Sequence, residues 1–290
     1  MFANIARPSK IQAMGLFTVL GGSGAAVLSL RRSLSHAQGQ SPISSGASIG
    51  SKKFILYQYE VCPFCNKVQT FLEYSRIPHQ RVEVNPLSKK EMKFSEYRKV
   101  PFLVIEDTNS GEKTQVNGSD EVIDYLHTEK TGKTVQPSED ETKWRQWVND
   151  WVVHLLPPNI YQTPGEALQA FDYIANSSNF SYTERVTAKY SGALAMYFIA
   201  KRAHKMYGVK DARKDLQEAM DKWAAEGIQN DQPFHGGKTP DKADLAMYGV
   251  IRSIEGNYKT WSDMQERVSP KFWGWYERVK KEVPPPELLS

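Results

Sequence analysis

Cys62 and Cys65 are the only cysteines of this 290-residue chain, and they stand three positions apart in Tyr59-Glu60-Val61-Cys62-Pro63-Phe64-Cys65. Such spacing suits thiol redox or nucleophilic chemistry, because one sulfur can attack and the other can act on the bond it forms. A zinc set would need more thiols or histidines, and the six histidines do not gather near the pair, so no metal is expected. An apolar run, Phe54-Ile55-Leu56-Tyr57, comes before the pair, and a helical spacing, Val68, Phe71 and Leu72, comes after it. If Cys62 caps that helix, Pro63 takes the first helical position, where a missing N–H costs nothing. The unpaired N–H groups and dipole of the helix start then favour a thiolate at Cys62.

The elements that must hold this pair follow in order. Phe54–Tyr59 reads as a buried strand and Pro63–Ser75 as a helix stopped by Ile77-Pro78. Gln80–Val84 alternates and reads as a second strand, parallel to the first across the helix. Ser88–Phe94 is at most a short polar helix. Val100–Ile105 reads as a third strand with proline at its start, Thr114–Val116 as a fourth after the Asn109-Ser110-Gly111 turn, and Ser119–Leu126 as a helix. The order is βαβ followed by ββα.

After Gly132 the periodicity is helical throughout. Trp144, Trp147, Val148, Trp151, Val152 and Leu155 fall on one helix face, which Pro157-Pro158 is expected to break. Further amphipathic runs cover Pro164–Ala175, Thr183–His204, Ala212–Glu226, Lys242–Ile254 and Pro270–Val283. Asp241 and Asp244 have the spacing of an N-capping box, a folding feature rather than a chemical one.

Composition bounds the rest. With 40% hydrophobic and 24% charged residues the chain reads as globular, and its net charge of +4 is too small to argue for nucleic acid. No acid precedes Glu60, so residues 1–50 form a basic leader with an uncharged stretch, Ala13–Leu30, that would rise about 27 Å as a helix. This reads as organelle targeting or membrane anchoring, with secretion and plain disorder as the alternatives. Ser33–Ser51 reads as a flexible linker. The expected division is 1–50 leader and linker, 51–130 α+β domain and 131–290 helical domain.

The Cys-Pro-Phe-Cys motif at the end of the first strand, Val100-Pro101 and Gly118-Ser119-Asp120-Glu121 together resemble the glutaredoxin and glutathione-transferase branch of the thioredoxin fold. The resemblance implies a thioredoxin/glutaredoxin-like domain followed by an all-α glutathione-transferase-like domain, with a cis peptide at Pro101. The runs Lys143-Trp144-Arg145-Gln146-Trp147, Val153-His154-Leu155, Thr163–Leu168, Phe171–Ile174 and Tyr97–Pro101 narrow it further. They are similar to the membrane-associated prostaglandin E synthase 2 family over about Phe54 to Arg278. The chain departs from that family in a shorter segment before the Trp-rich helix. It also has Gly118 at an acidic position, with the acid shifted to Asp120.

The resemblance implies a glutathione site. Ser119 would bind the γ-glutamyl carboxylate at a helix N-terminus, Asp120 would take its ammonium, and Val100 would pair with the cysteinyl backbone. Pro101 and Gly118 would shape that mould and Phe64 would wall it. Ser119 and Val100 could equally serve only as a helix start and a strand start. Cys62 is expected as the exposed, attacking thiol and Cys65 as the more buried, resolving one. Tyr59 would either reach the thiolate with its hydroxyl or merely pack. For substrate the resemblance implies a lipid endoperoxide, prostaglandin H2, isomerised to prostaglandin E2; the alternatives are a glutaredoxin- or transferase-type oxidoreductase acting on glutathione mixed disulfides or other substrates, and a protein that binds glutathione and haem without turnover. The resemblance also implies haem bound together with glutathione and an endoperoxide-breaking lyase form. His154 is the pocket candidate for haem, although a lone histidine on an apolar face more often serves the core. A homodimer and attachment at a mitochondrial or Golgi membrane complete these expectations.

Overall fold

The computed structural model describes residues 50–285 except 135, 178–181 and 230, all within one compact unit, Gln38–Ser290. The expected leader and its linker lie outside the described residues, apart from Gly50 and Ser51. Among the described residues no helix is long and apolar enough to cross a membrane.

Four strands, β1 (Lys52–Gln58), β2 (Gln80–Glu83), β3 (Phe102–Asp107) and β4 (Lys113–Asn117), form a sheet in the order β2-β1-β3-β4. β1 and β2 are parallel, with Tyr57 opposite Val82. β3 runs antiparallel to β1, with Leu56 opposite Leu103, and β4 antiparallel to β3. The connection between the parallel strands is α1 (Pro63–Tyr74), as a crossover requires. Alternation divides β1 between the two sheet faces. Phe54 and Leu56 join the main core with α1 and α2 (Ser119–Thr131), while Ile55 and Tyr57 pack on the other face with Val84, Met92, Phe102 and Val104. The expected helix at Ser88–Phe94 is one 3₁₀ turn, Lys90–Met92.

Nine helices follow among the described residues: α3 (Glu139–Trp147), α4 (Val153–Ile160), α5 (Pro164–Ser177), α6 (Tyr182–Thr187), α7 (Ala193–Met206), α8 (Ala212–Lys222), α9 (Lys242–Arg252), α10 (Tyr258–Arg267) and α11 (Pro270–Glu282). Single π turns bridge α3 to α4 at Val148–Val152 and α6 to α7 at Ala188–Gly192. Three points differ from the sequence expectation. Pro157 and Pro158 sit inside α4 rather than ending it. Packing holds the helix despite the two missing backbone donors: Pro158 is buried, and the buried Asn159 side chain anchors the segment to α8 by donating to the Ala212 carbonyl at 2.7 Å, and to Leu155 at 2.8 Å. The run Thr183–His204 is helical throughout, but its ladder passes through a π turn at Ala188–Gly192, with helical backbone at Thr187 and Ala193 on either side. α10 was not expected, although Trp261, Met264 and, at its end, Val268 fall on one face of it; it buries Thr260 and Met264.

α9 is the spine that joins the two halves. Its N-terminus carries the expected capping box between Asp241 and Asp244. Asp244 also accepts from the backbone of His235 and Gly236 and from the Trp275 indole, at 2.8–3.0 Å, so this carboxylate ties the preceding loop, α9 and α11 together. At Gly249 the helix backbone lies against α1: a Cβ there would stand 2.8–2.9 Å from backbone atoms of Asn66 and Lys67.

Candidate active site

Cys62 is the N-cap of α1, with extended backbone and Pro63 in the first turn. Its N–H donates to the Tyr59 carbonyl at 3.1 Å, which closes the loop below the helix. The Asn66 side chain clamps the same loop by donating to the carbonyls of Glu60 and Cys62 at 2.6 and 3.1 Å. Both cysteines are free thiols. Cys62 is 3% exposed and Cys65 0%, so the order is as expected, but Cys62 is covered rather than open. A hydrogen bond from the Cys65 thiol, opposed by burial and helped by the Cys65 and Phe64 backbone N–H groups, lowers the Cys62 pKa. Burial, followed by the bond to Cys62, pushes Cys65 well up. The pair therefore has a division of labour: Cys62 is the sulfur that ionises and Cys65 keeps its proton.

Three groups surround the thiols. Tyr59, half-buried against the far-face core, has its hydroxyl pKa raised by burial and then by both cysteines, so it stays protonated. Tyr97 behaves the same way, with burial first and Glu121 and the cysteines adding to it. Phe64 packs on the main core as a partly buried ring, and the Lys67 ammonium lies 5.8 Å from its centroid.

The Val100-Pro101 peptide is cis. The Pro101 carbonyl accepts from Gly118 N–H at 3.2 Å, which draws the start of α2 next to this turn. Gly118 caps α2 at φ +91°, a conformation that favours glycine, and it supplies no side-chain cap. Among the described residues, no protein partner is found for the Val100 backbone N–H and C=O or for the N–H groups of Ser119, Asp120 and Glu121. The structure thus brings Val100, Pro101, Gly118 and Ser119 together as a backbone mould of free donors and one free carbonyl.

Sequence reasoning missed what lies beneath Ser119 and Asp120. Lys67 on α1 is fully buried and donates to Ser119 Oγ, Asp120 Oδ1 and Asn149 Oδ1 at 3.2, 2.7 and 2.6 Å. Asp120 also meets Arg145 at 3.4 Å and accepts from the Asn149 amide. Burial pushes the Asp120 pKa up, but Lys67 and Arg145 outweigh it and hold the carboxyl below its usual range. A carboxylate shared by two protein cations is not a free receiver for a ligand ammonium. The exposed acid at this helix start is Glu121, whose carboxylate lies over Gly118. Buried lysines are rare enough that Lys67 gave no signal beyond its place one turn after Phe64.

His154 lies elsewhere. Its ring stacks on Tyr207 at 3.9 Å and 11°, and burial lowers its pKa. A ring held flat against a tyrosine between α4 and the end of α7 serves the packing of the helical half. These surroundings do not fit a haem pocket over the thiols.

The family model described as "Glutathione S-transferase, N-terminal domain" matches residues 56–134. The chain is 37% identical over 278 residues to the Mus musculus protein named prostaglandin E synthase 2, covering 80% of this chain and 71% of the relative. It is 34% identical over 314 residues to the Danio rerio protein of the same name, covering 92% and 81%. The chain belongs to the prostaglandin E synthase 2 family. A glutathione S-transferase of Ceriporiopsis subvermispora, solved in complex with glutathione, superposes with a TM-score of 0.51 at 14% identity over 81% of this chain and 99% of that one. That likeness shows the shared fold, a thioredoxin-like first half and a helical second half. Within the family frame, this member's thiol pair, cis-proline turn and α2 start occupy one corner of the molecule.

Proposed function

We propose that the protein is a glutathione-dependent thiol enzyme that isomerises the endoperoxide prostaglandin H2 to prostaglandin E2, with Cys62 as the reactive sulfur. The observation that carries the reading is the pairing of a capped, Cys65-supported Cys62 with the backbone mould at Val100 and α2. Ser119 N–H and its helix neighbours suit a carboxylate, and the Val100 backbone suits an extended peptide, the two features that glutathione presents. Glu121 takes the ammonium in place of Asp120. The shared name of the mouse and zebrafish relatives supports the substrate class.

The chemistry balances without an external oxidant. The thiolate sulfur bonds to one peroxide oxygen as the O–O bond breaks, and the other oxygen takes a proton. Loss of a proton from the carbon bearing the sulfur-bound oxygen then forms the ketone and expels the thiolate. Tyr59, kept protonated by burial, is the proton donor closest in character to this task. The reaction needs no haem. Cys65, a thiol beside Cys62, also supports a second reading, reduction of glutathione mixed disulfides, in which Cys65 would resolve the bond.

Alkylation of Cys62 in the full chain tests the site directly. S-methylglutathione at millimolar concentration should slow iodoacetamide labelling of Cys62 several-fold. Labelling that is indifferent to it would overturn the glutathione assignment.

A further inference from the structure

We propose that Glu83 on β2 is a charge partner of the thiol pair: its carboxylate, held under the Cys62 loop by the Glu60 N–H, adds to the influences that set how readily Cys62 becomes a thiolate. The inference rests on Cys62 as the reactive sulfur and adds a group that tunes it.

Glu83 ends β2 directly opposite Gln58, the last residue of β1. One carboxylate oxygen accepts from the Glu60 backbone N–H at 2.9 Å, two residues before Cys62, and the other from the Gln58 amide at 3.4 Å. Gln58 is not a free rotor. It is 3% exposed and receives the equally buried Gln69 amide of α1 on its own oxygen at 2.8 Å. Gln69 in turn accepts from Arg252 of α9 at 3.1 Å, and Arg252 also reaches Asn66 Oδ1 at 3.3 Å. A continuous polar chain therefore runs from the helical half through Gln69 and Gln58 to Glu83. Both of its ends, Glu83 and Asn66, grip the loop that carries Cys62. Each amide orientation is dictated by the next, so the carboxylate faces the loop in one arrangement.

A half-buried carboxylate bonded to the loop that carries a forming thiolate makes ionisation of either one costlier for the other. The groups facing Glu83 are Glu60, Arg81 and Gln58, with Tyr59, Cys62 and Cys65 across the loop and the Glu73–Arg252 pair behind Gln69. Burial, eased by the Glu60 and Gln58 bonds, moves Glu83 up to about 7, and its charge raises Tyr59 and both thiols. Below neutrality Glu83 is protonated and does not oppose the Cys62 thiolate. Above neutrality its charge resists further ionisation. The nucleophile thus titrates over a broadened range, and the protein sets that range from β2 as well as from the helix start.

Glu83→Gln keeps an acceptor for the Glu60 N–H and removes only the charge. The pH profile of iodoacetamide labelling at Cys62 in the full-length variant should move to lower pH by roughly 0.5–1 unit and sharpen towards a single titration. An unchanged profile, or one displaced upward, would overturn the proposal. Coupling must be reciprocal, which gives a second measurement on a chain with Glu83 intact. The ¹³C-carboxyl titration of Glu83 should move to lower pH in Cys62→Ser, and a midpoint that stays put would overturn it equally. A Cys62→Ser chain that still turned over substrate would remove the function proposed above and leave these titrations untouched, so the two claims fail separately.

Discussion

At the scale of the residue, the account depends on which sulfur carries the charge. Cys65 contributes by donating its S–H to Cys62, the largest of the influences that lower Cys62. Cys65→Ala removes that donor and leaves burial, which favours the neutral thiol. Labelling of Cys62 at pH 7 should then slow by roughly 10-fold, the equivalent of about one pKa unit, with the profile displaced to higher pH. Mass-spectrometric labelling rates across pH 5–10 read this out. The cysteine pair and the Ser119 helix start were legible because each needs a particular residue type at a particular spacing, and the cis proline was legible through the family resemblance. Lys67, Asn149 and Glu83 were not. Their roles come from partners 52, 82 and 25 positions away, and nothing in a local pattern marks a lysine as buried or a glutamate as turned inward.

At the scale of the element, the order of strands and helices along the chain and the helix periods were readable from alternation and apolar spacing, and the capping box at Asp241 from its two acids. The prolines of α4 were misleading because a local rule yields to tertiary packing: Pro158 is buried and Asn159 next to it is bonded across to Ala212. What the sequence could not announce is how tightly α9 meets α1. Gly249 allows that approach, and Arg252, one turn further on, reaches Asn66, Gln69 and Glu73 because of it. Gly249→Ala must push the helices apart or distort α1, since the atoms in the way are backbone. We expect a loss of about 1–3 kcal/mol in urea unfolding, against the gain of up to about 1 kcal/mol that alanine brings to an unobstructed helix. A stabilised variant would show that the contact is looser than described.

At the scale of the whole molecule, the helical half contributes more than a cover. Arg252 supports the thiol loop, and Asn149 and Arg145 complete the buried cluster around Lys67 and Asp120 at the start of α2. Lys67 is fully buried while Asp120 reaches solvent on one side, so the pair adds little net stability, yet removing Asp120 would strand a buried cation. The cluster therefore fixes Ser119 and the free N–H groups of α2 relative to Cys62. The α+β then all-α order was legible as two textures of sequence; the side chains that lock the textures together were not, because each half supplies only part of every contact. The central claim is that this assembly performs endoperoxide isomerisation through the Cys62 sulfur. The most direct test incubates full-length wild type and Cys62→Ser with prostaglandin H2 and glutathione and quantifies prostaglandin E2 by mass spectrometry. The account predicts glutathione-dependent product from wild type and a fall of at least about 100-fold in the variant. Equal product from the two chains would contradict it.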